Sequence, residues 1–182
     1  MNRANHPKSR ATLADRFALW FSKGTRVDGL WIGGFFVDKS SPAFSRVEEA
    51  LHLIKTYDKI CYSHLIRDLD RIWVMLLPSS RGSYIHALRA CKLDERFLTS
   101  DKTRPDIVAS VIVHEATHAR LLACGIGYGE DIRARVERVC IARQLAFAAK
   151  LPNGQEVRTE ADRKSTRLNS SHSIASRMPS SA

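Results

Sequence analysis

The sequence predicts an α+β fold: a small antiparallel or mixed sheet packed on one long helix and on a second helix antiparallel to it. Three observations lead there. RIWVMLLP, Arg71 to Pro78, is rich in β-branched and aromatic residues and is closed by proline and two serines, as a buried strand is. In the stretch Ala90 to Leu98, Cys91, Leu93, Glu95 and Phe97 alternate with Lys92, Asp94 and Arg96, the period of a half-buried or edge strand. Two stretches of helical period then follow between Thr103 and Lys150, separated by the loop GIGYG.

Taken in order, Leu13 to Phe21 has the length of a short helix ended at Lys23-Gly24, and Gly29 to Val37 reads as an apolar strand or turn. SSPAF opens a clearer helix. Ser41 or Ser45 can cap it, Pro42 suits its first turn, Glu48 and Glu49 favour its N-terminal end, and Val47, Leu51 and Ile54 keep the period. A further helical piece spans about Lys59 to Leu69. After RIWVMLLP and the turn SSRGS, Tyr84 to Leu88 and Ala90 to Leu98 read as extended. The long helix starts near TRPD, with Thr103 as cap and Pro105 and Asp106 in the first turn, and stops at Gly125. Glu130 to Lys150 is the second helix, with acids at its start and Lys150 at its end to suit the helix dipole, and LPNG closes it.

With 182 residues and 44% hydrophobic content, the chain can bury the core of one domain. Residues 1–40 are an N-terminal segment of undefined role, 41–161 form the domain, and 162–182 read as a disordered tail. That tail, DRKSTRLNSSHSIASRMPSSA, also resembles the conceptual translation of a sequencing adaptor, so it is expected to be non-native, and His172 is left out of every site. It carries a net +3, leaving +7 of the total +10 for residues 1–161. Those charges are scattered among acids, so a solvated surface is expected rather than a nucleic-acid interface. The four cysteines, Cys61, Cys91, Cys124 and Cys140, form no C-x-x-C pair. The N-terminus has no signal-peptide pattern, and the most apolar run, GLWIGGFFV, is too short to span a bilayer. Reduced thiols, a cytoplasmic location and no membrane partner are expected.

The chemistry concentrates in VIVHEATHARLLACG. Positions four apart share a helix face, so His114 and His118 can aim both imidazoles at one point, as a tetrahedral zinc ion requires. Glu115 is turned by about 100° from His114, beside such a metal and within reach of a water on it, where a general base belongs. A chance H-E-x-x-H in a chain with seven histidines is on the order of one in a hundred. Flanks such as Val111 and Leu122 would bury the motif, and burying these groups without partners would be costly.

The motif resembles that of zincin metallopeptidases, and the strand-then-helix order from Arg71 to Lys150 is similar to theirs. The resemblance implies a zincin-like fold and a zinc-dependent hydrolase that cleaves peptide bonds by Glu115-assisted attack of a zinc-bound water on a peptide or protein substrate. The third-histidine pattern of metzincins is absent after His118 (ARLLACGIGYG), so the resemblance is to gluzincins, whose third ligand is a carboxylate. Spacing favours Glu137. From His118 to Cys124 is six residues, about 9 Å, and from Glu130 to Glu137 is seven, about 10.5 Å back along an antiparallel helix. Glu137 is then level with His118, while Glu130 stays at the far end; Glu130 and Cys140 remain the alternatives. Many gluzincins carry an aspartate four residues after the third ligand; here that residue is Ile141. Tyr128, in the loop, is a candidate to stabilise an oxyanion. The other reading is a catalytically inactive zincin-fold regulator with a structural zinc and a basic surface.

Overall fold

In a computed structural model, which describes residues 11–35 and 39–163, a five-stranded mixed sheet carries its helices mainly on one face. The strands are β1 (Lys23–Val27), β2 (Leu30–Gly34), β3 (Arg71–Met75), β4 (Gly82–Ile85) and β5 (Ala90–Asp94), in the order β1-β2-β3-β5-β4. β3 lies in the middle, parallel to β2 and β5, while the outer strands β1 and β4 run antiparallel to their neighbours. The register places Ile32 beside Ile72 and Cys91, and Gly34 beside Val74 and Leu93, so alternate side chains form apolar rows under the helices. Between those rows, Gly33, Trp73 and Lys92 line up and face the other way.

Helix α1 (Leu13–Phe21) lies on that second face. The main helical layer is α2 (Pro42–Tyr57), α3 (Lys59–Asp68), α5 (Pro105–Ala123) and α6 (Arg133–Ala148), with the short α4 (Glu95–Thr99) after β5 and a last helix over residues 155–163. Ser41 caps α2 by accepting from the Phe44 N–H, and Pro42 occupies the first turn. Asp58 caps α3 by accepting from the Cys61 N–H. α5 is the centre of the layer: from Val108 to Thr117 every residue is buried, because α2, α3, α6 and the sheet close on it from several sides. It ends at Ala123, and Gly125 two residues on has a φ of +80°, a left-handed conformation that favours glycine.

Several expectations need correction. The N-terminal segment is not wholly apart from the domain: within it β1 and β2 supply two of the strands, and β2 pairs directly with β3. The extended stretch at Ala90 stops at Asp94, and Glu95–Thr99 is helical; its alternation could not distinguish the two because α4 buries little beyond Leu98. Nor is that strand an edge. β5 is paired on both sides, all five of its residues are buried, and β4 is the outer strand. His86–Leu88, expected as extended, forms a 3-10 turn. Thr103 does not cap α5, whose N-cap is Arg104; Asp106 instead accepts from its neighbour Ile107's N–H and pairs with Arg104. α6 begins at Arg133 rather than Glu130, which stays exposed in a turn, and it ends before Lys150. Lys150 does not serve the dipole; it lies 2.8 Å from the Asp58 carboxylate. Asp162 and Arg163 complete the last helix instead of opening a tail, and the rest of the expected disordered segment, His172 included, falls outside the described residues. Among the described residues no helix is long and apolar enough to cross a membrane.

Candidate metal centre

The stretch VIVHEATHA is buried against the neighbouring elements apart from His118, which is half-buried, and the helical repeat stacks His114 and His118 one turn apart. Their rings meet edge to face with centroids 5.0 Å apart. α6 runs antiparallel beside them, since Gln144 reaches Ser110 while Cys140 and Glu137 reach His118. Glu137, Cys140 and Gln144 follow at helical spacing and so present one face of α6 to the two imidazoles.

The Glu137 carboxylate bridges them. Its Oε2 lies 3.3 Å from His114 Nε2 and its Oε1 lies 3.7 Å from His118 Nε2. Oε1 also accepts from the Tyr128 hydroxyl, and the Tyr128 ring stands edge-on to His118 at 5.3 Å. Neighbouring donors in a tetrahedral zinc site, with bonds of about 2.0–2.2 Å, are separated by roughly 3.3–3.6 Å. The two Nε2–carboxylate distances are close to that spacing, and two imidazoles with a carboxylate have the chemistry of such a donor set.

Cys140 offers a second combination. Its Sγ is 3.7 Å from His118 Nδ1, and the ligand atoms of His114, His118 and Cys140 all fall within 4.8 Å of one another. This buried His-His-Cys group could hold a metal ion. Glu137 and Cys140 approach opposite nitrogens of His118, however, so a single ion bound through one nitrogen favours one of them over the other.

Gln144 settles the state of His114. Its amide nitrogen donates to the Ser110 carbonyl at 3.1 Å and to Ser110 Oγ at 2.9 Å, so its Oε1 must be the atom turned to His114 Nδ1, at 2.9 Å. An amide oxygen only accepts, which requires a proton on Nδ1 and makes Nε2 the nitrogen that faces Glu137. A fixed tautomer of this kind is what a partner beyond the ligands supplies to a metal-binding histidine. The gluzincin resemblance points to position 141 for such a partner, which is isoleucine here, and Gln144 was not anticipated. The signal was a long polar residue two turns after Glu137, on the same helix face as Glu137 and Cys140.

Electrostatics agree with this arrangement. Burial by itself would raise the Glu137 pKa, but hydrogen bonds from His114 and Tyr128 and the nearness of both imidazoles overcome it and hold the carboxyl at about 2. Burial, helped by His114 and opposed by Glu137, lowers His118 to about 4, so it is neutral and able to donate a lone pair at pH 7. Burial and then the carboxylates of Glu137 and Glu115 push the Cys140 thiol up, and burial together with the bond to Glu137 raises Tyr128.

Glu115 is buried on the side of α5 that faces β4. A Cβ at Gly82 would come within 2.7 Å of Val111 and 3.4 Å of the Glu115 side chain, so the missing side chain lets the outer strand lie directly against this part of the helix. Of the sequence-derived site residues, His114, His118 and Glu137 come together, Glu115 lies in the same turn of α5, and Glu130 stays out. Tyr128, expected as an oxyanion donor, has its hydroxyl on Glu137. Comparison with known proteins finds no family model, curated protein or solved structure that matches this chain.

Proposed function

We propose that the protein is a zinc-dependent hydrolase, and that it is a gluzincin-like metallopeptidase acting on peptide bonds. The reading rests on one observation: two Nε2 atoms of α5 face the two oxygens of a single half-buried carboxylate from α6. His114, His118 and Glu137 would hold the metal, with Gln144 keeping the His114 tautomer. Zinc in such a three-ligand site supplies Lewis acidity, polarising a carbonyl and making water a better nucleophile near neutral pH.

The remaining roles belong to the chain. Glu115, held by the helix beside the ligands, would take a proton from the attacking water onto a carboxylate oxygen and deliver it to the departing amine nitrogen. β4 is the outer strand and lies against Val111 and Glu115 through Gly82. Its outward backbone groups could pair with an extended peptide, bringing a scissile bond over that turn of α5 by strand addition. Tyr128, by donating to Glu137, keeps that carboxylate ionised and oriented.

The test joins metal analysis to turnover. Purified protein should carry about one zinc per chain and cleave unstructured peptides, and Glu115→Gln should keep the zinc while losing at least about 100-fold in kcat/KM. Cleavage retained by Glu115→Gln, or protein that binds no metal, overturns the reading. A second reading, a structural zinc without turnover, draws on the approach of Cys140 to His118. It predicts that Cys140→Ser loses the metal while Glu137→Gln keeps it, the reverse of the first reading.

A further inference from the structure

α1 is mounted on the sheet by its polar side. At about 100° per residue, Asp15, Ala18, Leu19 and Ser22 fall on one side of this helix and Leu13, Phe17, Trp20 and Phe21 on the other. The polar side is the anchored one. Asp15 pairs with Lys92 at 2.6 Å, Lys92 lies 4.9 Å over the ring of the fully buried Trp73, and the Trp73 indole N–H donates to Ser22 Oγ at 3.1 Å. The Asp15–Lys92 pair is nearly shielded from solvent, with side chains 14% and 9% exposed, so it fixes which way the helix faces. Thr12 adds a capping box that holds the first turn.

The apolar side therefore faces outward. Leu13 is 86% exposed, Phe17 62%, Trp20 79% and Phe21 54%. The three aromatic rings are packed on one another, with centroids 5.2 to 6.2 Å apart, so they form a continuous outward patch. A patch of this kind marks an interaction surface rather than scattered surface residues.

Charge identifies the occupant. Arg16, Lys23 and Arg26 are exposed around the patch, and Asp15, the one acid among residues 11–27, is turned inward onto Lys92. A second copy of this face would bring like charges together, whereas an anionic surface complements them. Aromatic side chains with a basic rim are also what a helix needs to lie in a lipid interface, a state that requires no spanning segment. We propose that α1 docks the protein on anionic lipid surfaces, seating Phe17, Trp20 and Phe21 among the headgroups with Arg16 and Lys23 against lipid phosphate. Because the site is on the sheet face opposite α5 and α6, this proposal stands apart from the zinc reading.

The experiment is co-sedimentation of the full chain with phosphatidylcholine vesicles, with and without phosphatidylglycerol, alongside Trp emission. Binding to the anionic vesicles with a blue shift of Trp20 is expected, weakening as salt is added. The double variant Phe17→Ser/Trp20→Ser should bind roughly tenfold more weakly or worse, and Arg16→Gln/Lys23→Gln should lose the preference for phosphatidylglycerol. Zinc content and far-UV circular dichroism unchanged in both variants show that the fold is intact. No binding to anionic vesicles overturns the proposal, as does equal binding by the Phe17→Ser/Trp20→Ser variant. Concentration-dependent dimers that this variant abolishes, without vesicle binding, would assign the face to a second copy instead.

Discussion

Gln144 shows how one side chain sets the chemistry of another. With its amide nitrogen committed to Ser110, it can only accept from His114, so Nδ1 carries a proton and Nε2 is the nitrogen turned to Glu137. Gln144→Leu removes that acceptor while keeping volume, so zinc affinity should fall by about 10- to 100-fold in a chelator competition. The metal-free protein should also respond to acid. His118 is held near 4 chiefly by burial, against an ordinary 6.5, so between these values the unfolded chain binds a proton that the native one refuses. Stability must then be lost as pH falls from about 6.5 toward 4, by an amount on the order of 3 kcal/mol. Glu137, lowered from 4.5 to about 2, extends the loss in the same direction below that window. Urea midpoints of chelated protein across pH 4 to 7 check this; a flat profile would contradict it.

At the scale of elements, the close approach of β4 to α5 depends on Gly82. Gly82→Val places methyl groups where a Cβ is already 2.7 Å from Val111, so the strand or the helix must shift. A cost of about 1–3 kcal/mol in urea unfolding is expected, with loss of peptide turnover exceeding any loss of zinc. The elements also show where local sequence was a sufficient guide. Pro42 and Ser41 at α2 and Gly125 at α5 are signals read by the backbone itself, and the helices start and stop there. Glu130 and Lys150 looked like dipole partners, yet both lie outside α6: Glu130 is in an exposed turn, and Lys150 meets the buried Asp58 carboxylate. Ala90 to Leu98 alternated throughout, but only its first four residues have strands on both sides.

For the whole molecule, a metal between α5 and α6 would tie together the two helices that share the largest helix–helix contact in the domain. Zinc at about 100 times its dissociation constant should add about 2.7 kcal/mol to stability. For a chain of this size that is a rise of roughly 5–11 °C in Tm, which a chelator should reverse in differential scanning calorimetry. Glu137→Ala should abolish most of that rise, and no change in Tm on chelation would speak against a bound metal.

By itself the sequence determined what depends on short-range geometry: that His114 and His118 share a helix face with Glu115 between them, that Arg71 begins a buried strand, and that a second helix returns along the first. Spacing along two antiparallel helices even placed Glu137 level with His118, because helical rise is constant. Only the tertiary structure decided which strand is outermost, that Gln144 rather than residue 141 holds His114, that Tyr128 turns to Glu137, and that α1 faces its aromatic side away from the sheet. Each of these depends on how elements far apart in the chain are rotated about their own axes when they pack. Periodicity fixes which residues share a face but not what that face meets.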